Sequence, residues 1–387
     1  MKTNNSTLLM ITQLFLPTKG GTAVSFDDDF RRLGGKEVHI ITDNVPGAAE
    51  FDRTHPNTIH RMTMKRRAWI KPESLFIYGK LLSKSIWVAF RERVIAVIAG
   101  RALPEGLVAL ITGRLIRRPV LIYAHGEELT SWGRGRKFKT MCYALTHADW
   151  VLSNSDYTRE ILIDLINVAP QRIVVIYPTV DETRFRPGLP ATDLRQTLGL
   201  TERQKLILSV GRLQPRKGFD ALIRVLPALL KQGLDVHYAL IGIGDDQERL
   251  QRLVQDFDLV GRVHFLGHVS YQDLPRWYNA CDLFGMPNRD IAGDTEGFGL
   301  VFLEAAAAAK PAIAGKAGGT ASAVVDGETG LRVDGEKEEE IIQALTYLLS
   351  NAAEAERMGT RARQRVVENF THERRVRELR ELISARG

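Results

Sequence analysis

The chain has only two cysteines among 387 residues, Cys142 and Cys281, far apart and without the short spacing of a metal site. So few thiols exclude a disulfide-stapled scaffold and fit a reducing, cytoplasmic setting. No apolar run approaches the roughly 18–20 residues that a membrane-spanning helix needs. The stretch LLMITQLFLP has one charge ahead of it, Lys2, and no small-residue cleavage pattern behind it, so it reads as a strand rather than a signal peptide. A Walker loop is missing. A full dinucleotide fingerprint is missing too: LIGIGDD, residues 240–246, has a GxG after a strand, but Gln247 stands where the third glycine belongs, which leaves a tight strand–helix turn. No low-complexity tract interrupts the chain.

What is present is a globular balance, 44% apolar and 26% charged residues. The length implies two domains. Charge is uneven. Residues 1–186 hold 27 Lys and Arg against 18 Asp and Glu, and the remainder holds 26 against 28, so a first part of net +9 precedes one of −2. The densest basic run is RMTMKRRAWIKPE, residues 61–73, followed by Trp87, Arg91 and Arg93. Cations interleaved with Trp, Ile and Met suit an anionic lipid surface. A solvated basic face and nucleic acid are the alternatives, and the reading adopted is membrane contact without nucleic acid.

Apolar strand-like runs alternate with helical ones. Strands are expected at Leu8–Leu16, Glu37–Thr42, Arg118–Tyr123, Trp150–Ser153 and Arg172–Ile176. The pattern halts at FRPGLPATD, residues 185–193, and restarts with KLILSV, residues 205–210. Such alternation predicts parallel sheets covered on both faces. The expected division is an N-terminal Rossmann-like domain over 1–186, a second over 193–365, and a C-terminal helix over 366–387. In doubly wound sheets ligands bind beyond the carboxyl ends of the strands, where the glycine-rich loops of this chain fall.

Two of those loops carry the chemistry. GRLQPRKGF, residues 211–219, brings Arg212 and Lys217 to a helix N-terminus, an anion site by charge and by free backbone N–H groups. EGFGLVFLE, residues 296–304, opens a second, very apolar helix. If the two face each other, a diphosphate can be held between them, with Glu296 at a sugar's hydroxyls and Glu304 at a ribose. Acids near a helix start favour its dipole without any function, but that does not account for Glu304, whose burial needs a hydrogen-bonding partner. In AHGEEL, His125 sits at a strand end where it can donate to a reacting sugar. Gly20 and Gly21 follow the first strand. Asp27, Asp28 and Asp29 read as a first-turn helix cluster rather than a metal site.

These motifs resemble family 4 of the retaining, nucleotide-sugar-dependent glycosyltransferases, of GT-B fold, over nearly the whole chain. The resemblance rests on the glycine pair at 20–21, HGEE at 125–128, SNSDYT at 153–158, GRLQPRKG at 211–218, FLGHVS at 265–270, YNACDLFGMP at 278–287, EGFGLVFLE at 296–304 and VDGETGL at 325–331. The wording around EGFG and LEA is most similar to bacterial mannosyltransferases acting on phosphatidylinositol mannosides. The loop RDIAGDTEGFG is longer than the usual form.

The resemblance implies an α/β fold of two doubly wound domains facing across a cleft. It implies transfer of a hexose from a nucleotide diphosphate sugar to a lipid-linked or saccharide acceptor. Arg212, Lys217, Gly20 and Gly21 would hold the diphosphate. His125, Glu296, Phe298, Gly299 and Leu300 would hold the donor sugar, with His125 and Glu296 closest to the chemistry. Glu304, His268 and Val269 would meet the nucleoside. No metal or other cofactor is implied. The setting implied is cytoplasmic, peripheral on the inner face of the plasma membrane. A GT-B nucleotide-sugar epimerase, or transfer to a soluble small molecule, are the alternatives.

Overall fold

The computed structural model describes residues 7–18, 20–64, 74–131 and 133–384. It divides into two compact units. One runs to Pro178 and takes in the chain again from His372, and the other spans Thr179–Thr371. The first boundary falls before the proline-rich segment rather than within it. Val180 N–H donates to the Phe370 carbonyl at 3.0 Å, and Arg363 donates to the carbonyls of Glu182 and Phe185 at 2.8 and 3.0 Å, which ties residues 180–185 to the second unit.

The first unit carries a seven-stranded parallel sheet: β1 (Thr7–Ile11), β2 (Val38–Asp43), β3 (Thr58–Met62), β4 (Val94–Ala99), β5 (Val120–Ala124), β6 (Trp150–Ser153) and β7 (Ile173–Val175), ordered β3-β2-β1-β4-β5-β6-β7. Strands such as VIAVIA are apolar throughout because both faces are covered. The period-2 alternation of strand side chains sorts them into two cores. Leu9, Val97 and Ile122 face the helices Ser74–Arg91, Leu107–Ile116 and Arg136–His147. Leu8, Ile98 and Leu121 face the helix Gly21–Leu33 and the C-terminal helix His372–Ser384.

That last helix completes the second core. Val376, Leu379 and Ile383 are buried with Phe26, Phe30 and Leu33, and each such side chain contributes about 1.5–3 kcal/mol when taken from water. Arg375, itself buried, sets its Nε 2.9 Å from the Asp29 carboxylate and donates to Ser25 Oγ at 3.0 Å. Burial pushes the Asp29 carboxyl up to about 7, against the opposing pull of Arg375. Asp27 pairs with Arg31 and His55, and Asp28 with Arg32. The helix starts at Gly21, earlier than its apolar pattern implies, so the three acids lie beyond its first turn and each has its own cation.

Arg61 changes role. On β3 it donates to Asp52 at 2.8 Å and to the carbonyls of Leu16 and Asp43 at 2.6 and 3.0 Å, with its side chain 10% exposed. It pins loops of this unit together and is not a lipid-facing cation. Lys65, Arg66, Arg67, Trp69 and Lys71 lie outside the described residues.

The second unit has a six-stranded parallel sheet: β8 (Lys205–Val210), β9 (Val236–Ile241), β10 (Val263–Gly267), β11 (Leu283–Met286), β12 (Ala312–Gly315) and β13 (Gly330–Val333), ordered β10-β9-β8-β11-β12-β13. Both sheets reverse their winding beside the first strand of the unit, between β1 and β4 and between β8 and β11. Crevices for ligands open beyond the strand ends at such points. The GxG after β9 is structural: a Cβ on Gly242, whose φ is +145°, would lie 1.8 Å from the Gly211 carbonyl oxygen.

Candidate active site

The second unit builds its site from the loops after β8 and β11. Beyond β8 the chain runs through Gly211 and Arg212 into a single 3₁₀ turn, Pro215–Lys217, and then into the helix Phe219–Lys231. Gly218 joins turn to helix with φ +73°, and a Cβ there would lie 2.2 Å from the Pro287 carbonyl oxygen. Only glycine lets the β8 loop lie so close to the end of β11.

The turn aims two consecutive cations at one carboxylate. Arg216 Nη1 donates to Glu296 Oε2 at 2.9 Å, and Lys217 Nζ donates to the same oxygen. Burial alone would raise the Glu296 pKa, but the Lys217 and Arg216 charges outweigh it and hold the carboxyl below its usual range. Arg216 also sets its Nε 3.1 Å from Asp294 Oδ1. Sequence reasoning passed over Arg216, because only the 3₁₀ geometry turns it the same way as Lys217. Arg212 is exposed and has no ion-pair partner among the described residues.

The long loop before Glu296 is a small hairpin. Ile291 and Asp294 exchange backbone hydrogen bonds at 3.0 Å, and Ala292 and Gly293 at its tip both have positive φ, 53° and 87°, as a type I′ turn requires. Its base is anchored by Arg289, which donates to both oxygens of the buried Asp220 at 2.7 and 2.8 Å.

The helix Leu300–Ala307 follows Gly299 and buries Phe302, Leu303 and three alanines. Phe298 is buried edge-on to Phe370, and Leu300 is half-buried. Glu304 finds its partner within the protein: Tyr278 O–H donates to Oε2 at 2.6 Å. The residue is 6% exposed, and burial, only partly offset by that bond, lifts its carboxyl to about 7. A carboxyl whose pKa is raised on folding stabilises the fold in its protonated form, and that contribution is lost as pH rises through the folded value. Glu304→Gln, which cannot ionise, should therefore melt several degrees above wild type at pH 8.5 and by a clearly smaller margin at pH 5.5. Equal shifts at both pH values would remove Glu304 ionisation from the account. His268 and Val269 lie just past β10, His268 exposed.

In the first unit, Gly20 precedes the helix Gly21–Leu33 with φ +139°, and a Cβ placed there would meet nothing within 4 Å. His125 follows β5, at the same carboxyl edge of the sheet. Its ring stacks on Tyr123 at 6.2 Å, meets Phe26 at 5.9 Å, and sets Nε2 2.8 Å from the Gly100 carbonyl. Donation to Gly100 uses the Nε2 proton, so in the neutral ring Nδ1 is left as an acceptor. The expected donation to a sugar then requires a protonated ring or a broken Gly100 bond. The structure thus brings Lys217, Arg216 and Glu296 together within one unit and places Gly20, Gly21 and His125 at one sheet edge in the other. Among the described residues, no group of three or more His, Cys, Asp or Glu is placed to hold a metal.

A model of glycosyl transferases group 1 matches residues 191–365, and one of glycosyltransferase family 4 matches residues 20–184. The chain is 30% identical over 386 residues to a GDP-mannose-dependent alpha-(1-6)-phosphatidylinositol monomannoside mannosyltransferase of Mycolicibacterium smegmatis, with 98% of each chain covered. The chain belongs to glycosyltransferase family 4. Another relative of this glycosyltransferase, from Corynebacterium glutamicum, acts on the monoacylated form of that lipid by its name and is 30% identical over 94% of each chain. A D-inositol 3-phosphate glycosyltransferase of Rhodococcus opacus is 33% identical over 236 residues, 59% of this chain and 51% of the relative. Among solved structures, Anabaena HepE in complex with UDP aligns with TM-score 0.83 at 20% identity, covering 98% of this chain and 100% of that one. Sucrose-phosphate synthase from Thermosynechococcus elongatus aligns at 0.77 with 21% identity, covering 98% of each. The fold of this glycosyltransferase is GT-B.

Proposed function

We propose that the protein is a retaining, metal-independent hexosyltransferase that moves mannose from GDP-mannose to a hydroxyl of an inositol-containing membrane lipid. The observation that carries this is the Lys217–Arg216–Glu296 cluster beyond β8 and β11. It offers cations for a leaving diphosphate and an ionised carboxylate for the hydroxyls of a sugar. The full-length relatives, named as GDP-mannose-dependent enzymes, favour the donor and acceptor.

In the reaction the bond from the anomeric carbon to the phosphate oxygen breaks. A bond to the acceptor oxygen forms on the same face, and the acceptor proton passes to the departing phosphate. Lys217 leaves Glu296 for the diphosphate, joined by Arg212. Arg216 stays on Glu296 and keeps it ionised. Preorganised charge supplies the catalysis, and no metal is needed to neutralise the leaving group. Glu304 meets the ribose by exchanging its Tyr278 bond, with His268 and Val269 beside the base.

Among the described residues no helix is long and apolar enough to cross a membrane. A lipid acceptor then calls for peripheral attachment, here to the anionic inner face of the plasma membrane. Thermal shifts with GDP-mannose, GDP, UDP-glucose and UDP test the donor, and transfer with and without chelator tests the metal. Stabilisation by UDP compounds alone would overturn the GDP reading. Transfer to inositol phosphate but not to phosphatidylinositol mannosides would move the acceptor to the soluble class, which the partial likeness to the inositol-phosphate enzyme also supports.

A further inference from the structure

The carboxyl edge of the first sheet holds a buried carboxylate that the reaction does not use. Where the winding reverses, between β1 and β4, the chain leaves β4 through Gly100 and Arg101 into a short turn, Ala102–Gly106, ahead of the helix Leu107–Ile116. The Gly106 N–H donates to the Arg101 carbonyl at 3.0 Å, five residues back. This wide turn returns Glu105 to the arginine. The Glu105 side chain is 0% exposed and that of Arg101 27%. Arg101 Nε donates to Glu105 Oε1 and Oε2 at 3.0 and 3.2 Å. Gln13, just past β1, closes the set. Its N–H donates to Glu105 Oε1 at 3.0 Å, and its side-chain oxygen accepts from Arg101 Nη2 at 2.7 Å.

Two strand ends are thus committed to fixing one guanidinium. A buried ion pair stabilises a fold little more than apolar side chains of the same volume would, so stability alone does not account for it. What the network sets is direction. With Nε and Nη2 occupied, Nη1 keeps its protons without a partner among the described residues. The side chain reaches solvent at the crevice where a doubly wound sheet receives its ligand. His125 stands beside it, with Nε2 2.8 Å from the carbonyl of Gly100, the residue before Arg101. Arg101 is also the one cation in either segment, 12–18 or 100–106. A planar, permanent cation that is ordered in advance takes a phosphoryl group without the entropy cost of freezing a free arginine.

We propose that Arg101, held by Glu105 and Gln13, binds the phosphate of the acceptor and sets a preference for a phosphate-bearing inositol over a plain one. Glu105 and Gln13 are positioning residues. The proposal rests on the acceptor reading above and names the group by which that acceptor is recognised. Phosphatidylinositol mannosides and inositol phosphates share this group, as a diester in one and a monoester in the other.

Acceptor kinetics at saturating GDP-mannose test it. A phosphatidylinositol mannoside and inositol 3-phosphate are each read beside a phosphate-free counterpart, mannosyl-inositol and inositol. Arg101→Met is paired with Glu105→Gln so that no carboxylate is left buried alone. In that double variant KM for the phosphate-bearing acceptor should rise roughly 10–150-fold, toward that of its counterpart, with GDP affinity within a few-fold of wild type. Glycerol phosphate should compete with the acceptor in wild type and at least about tenfold more weakly in the variant, which reads the same contact without turnover of a poor acceptor. Arg101→Lys keeps a cation beside Glu105 and should raise the same KM severalfold, and it carries the test if the double variant does not fold. A rise confined to the mannoside assigns Arg101 to a lipid phosphodiester, and one confined to inositol 3-phosphate assigns it to a soluble ester. Equal losses on phosphate-bearing and phosphate-free acceptors, or unchanged inhibition by glycerol phosphate, would overturn the phosphate assignment and leave the transferase reading standing. No transfer by wild type from GDP-mannose to any of the four would overturn the proposed function and this contact with it.

Discussion

Lys217→Ala should slow sugar transfer roughly 10–150-fold, because a charge-assisted hydrogen bond contributes about 1.5–3 kcal/mol and the proposed reaction uses one from Lys217 to the leaving diphosphate. The loss should appear in nucleotide diphosphate affinity as well as turnover, by calorimetry with GDP alone. Arg216→Ala should behave differently. Both cations hold Glu296, but in the proposed reaction Lys217 turns to the phosphate and only Arg216 is left to keep that carboxylate ionised. Its removal should leave GDP affinity within a few-fold of wild type. It should shift the acid limb of the activity profile to higher pH, since burial then raises the Glu296 pKa with less opposition. Arg216→Lys should recover most of the profile. Wild-type turnover in Lys217→Ala would remove the donor clamp from this loop. An unshifted acid limb in Arg216→Ala would confine that arginine to fastening the hairpin through Asp294.

The second large effect falls on stability. Arg375→Met should cost about 3–5 kcal/mol, because it leaves Asp29 buried without its counter-charge. For a unit of this size that lowers its melting point by roughly 6–20 °C. The deficit should grow with pH. The Asp29 carboxyl already has a raised pKa, and without Arg375 it must take a proton to stay buried, which becomes costlier as pH rises. Asp29→Asn in the same background should recover part of the loss. Amide exchange in the helix Gly21–Leu33 reads the effect directly, and unchanged protection there would show that the Arg375–Asp29 pair is not what fastens the two helices.

The two parallel sheets and the glycine loops at their strand ends were legible because strand and helix periods alternate cleanly over most of the chain. Residues 61–118 were not. Read for their charge, they concealed β4, although VIAVIA is among the plainest strands here, and the helices Ser74–Arg91 and Leu107–Ile116. The start of the first helix was missed because glycine is a poor helix former, and Gly21 holds that position for the loop before it. At the site, Lys217, Glu296 and Glu304 could be picked out by type and spacing. Arg216 could not, since its direction depends on a three-residue turn. Nor could Tyr278, whose bond to Glu304 joins two helices 26 residues apart. Arg61 misled for the same reason: a cation within a basic run looks solvent-facing until Asp52 and two carbonyls are found around it.

The helix His372–Ser384 belongs to the core of the first unit, yet it is synthesised only after the whole of the second. The whole of Thr179–Thr371 leaves the ribosome before Val376 and Leu379 can reach Phe26 and Phe30. The second unit can therefore fold while the first still lacks one covering helix, with the apolar side of Gly21–Leu33 open and Asp29 without Arg375. A nascent chain stalled near Thr371 would show a finished second unit and an unfinished first. Chaperone capture of such chains should concentrate on Phe26 and Phe30 and cease once the last helix is free of the exit tunnel.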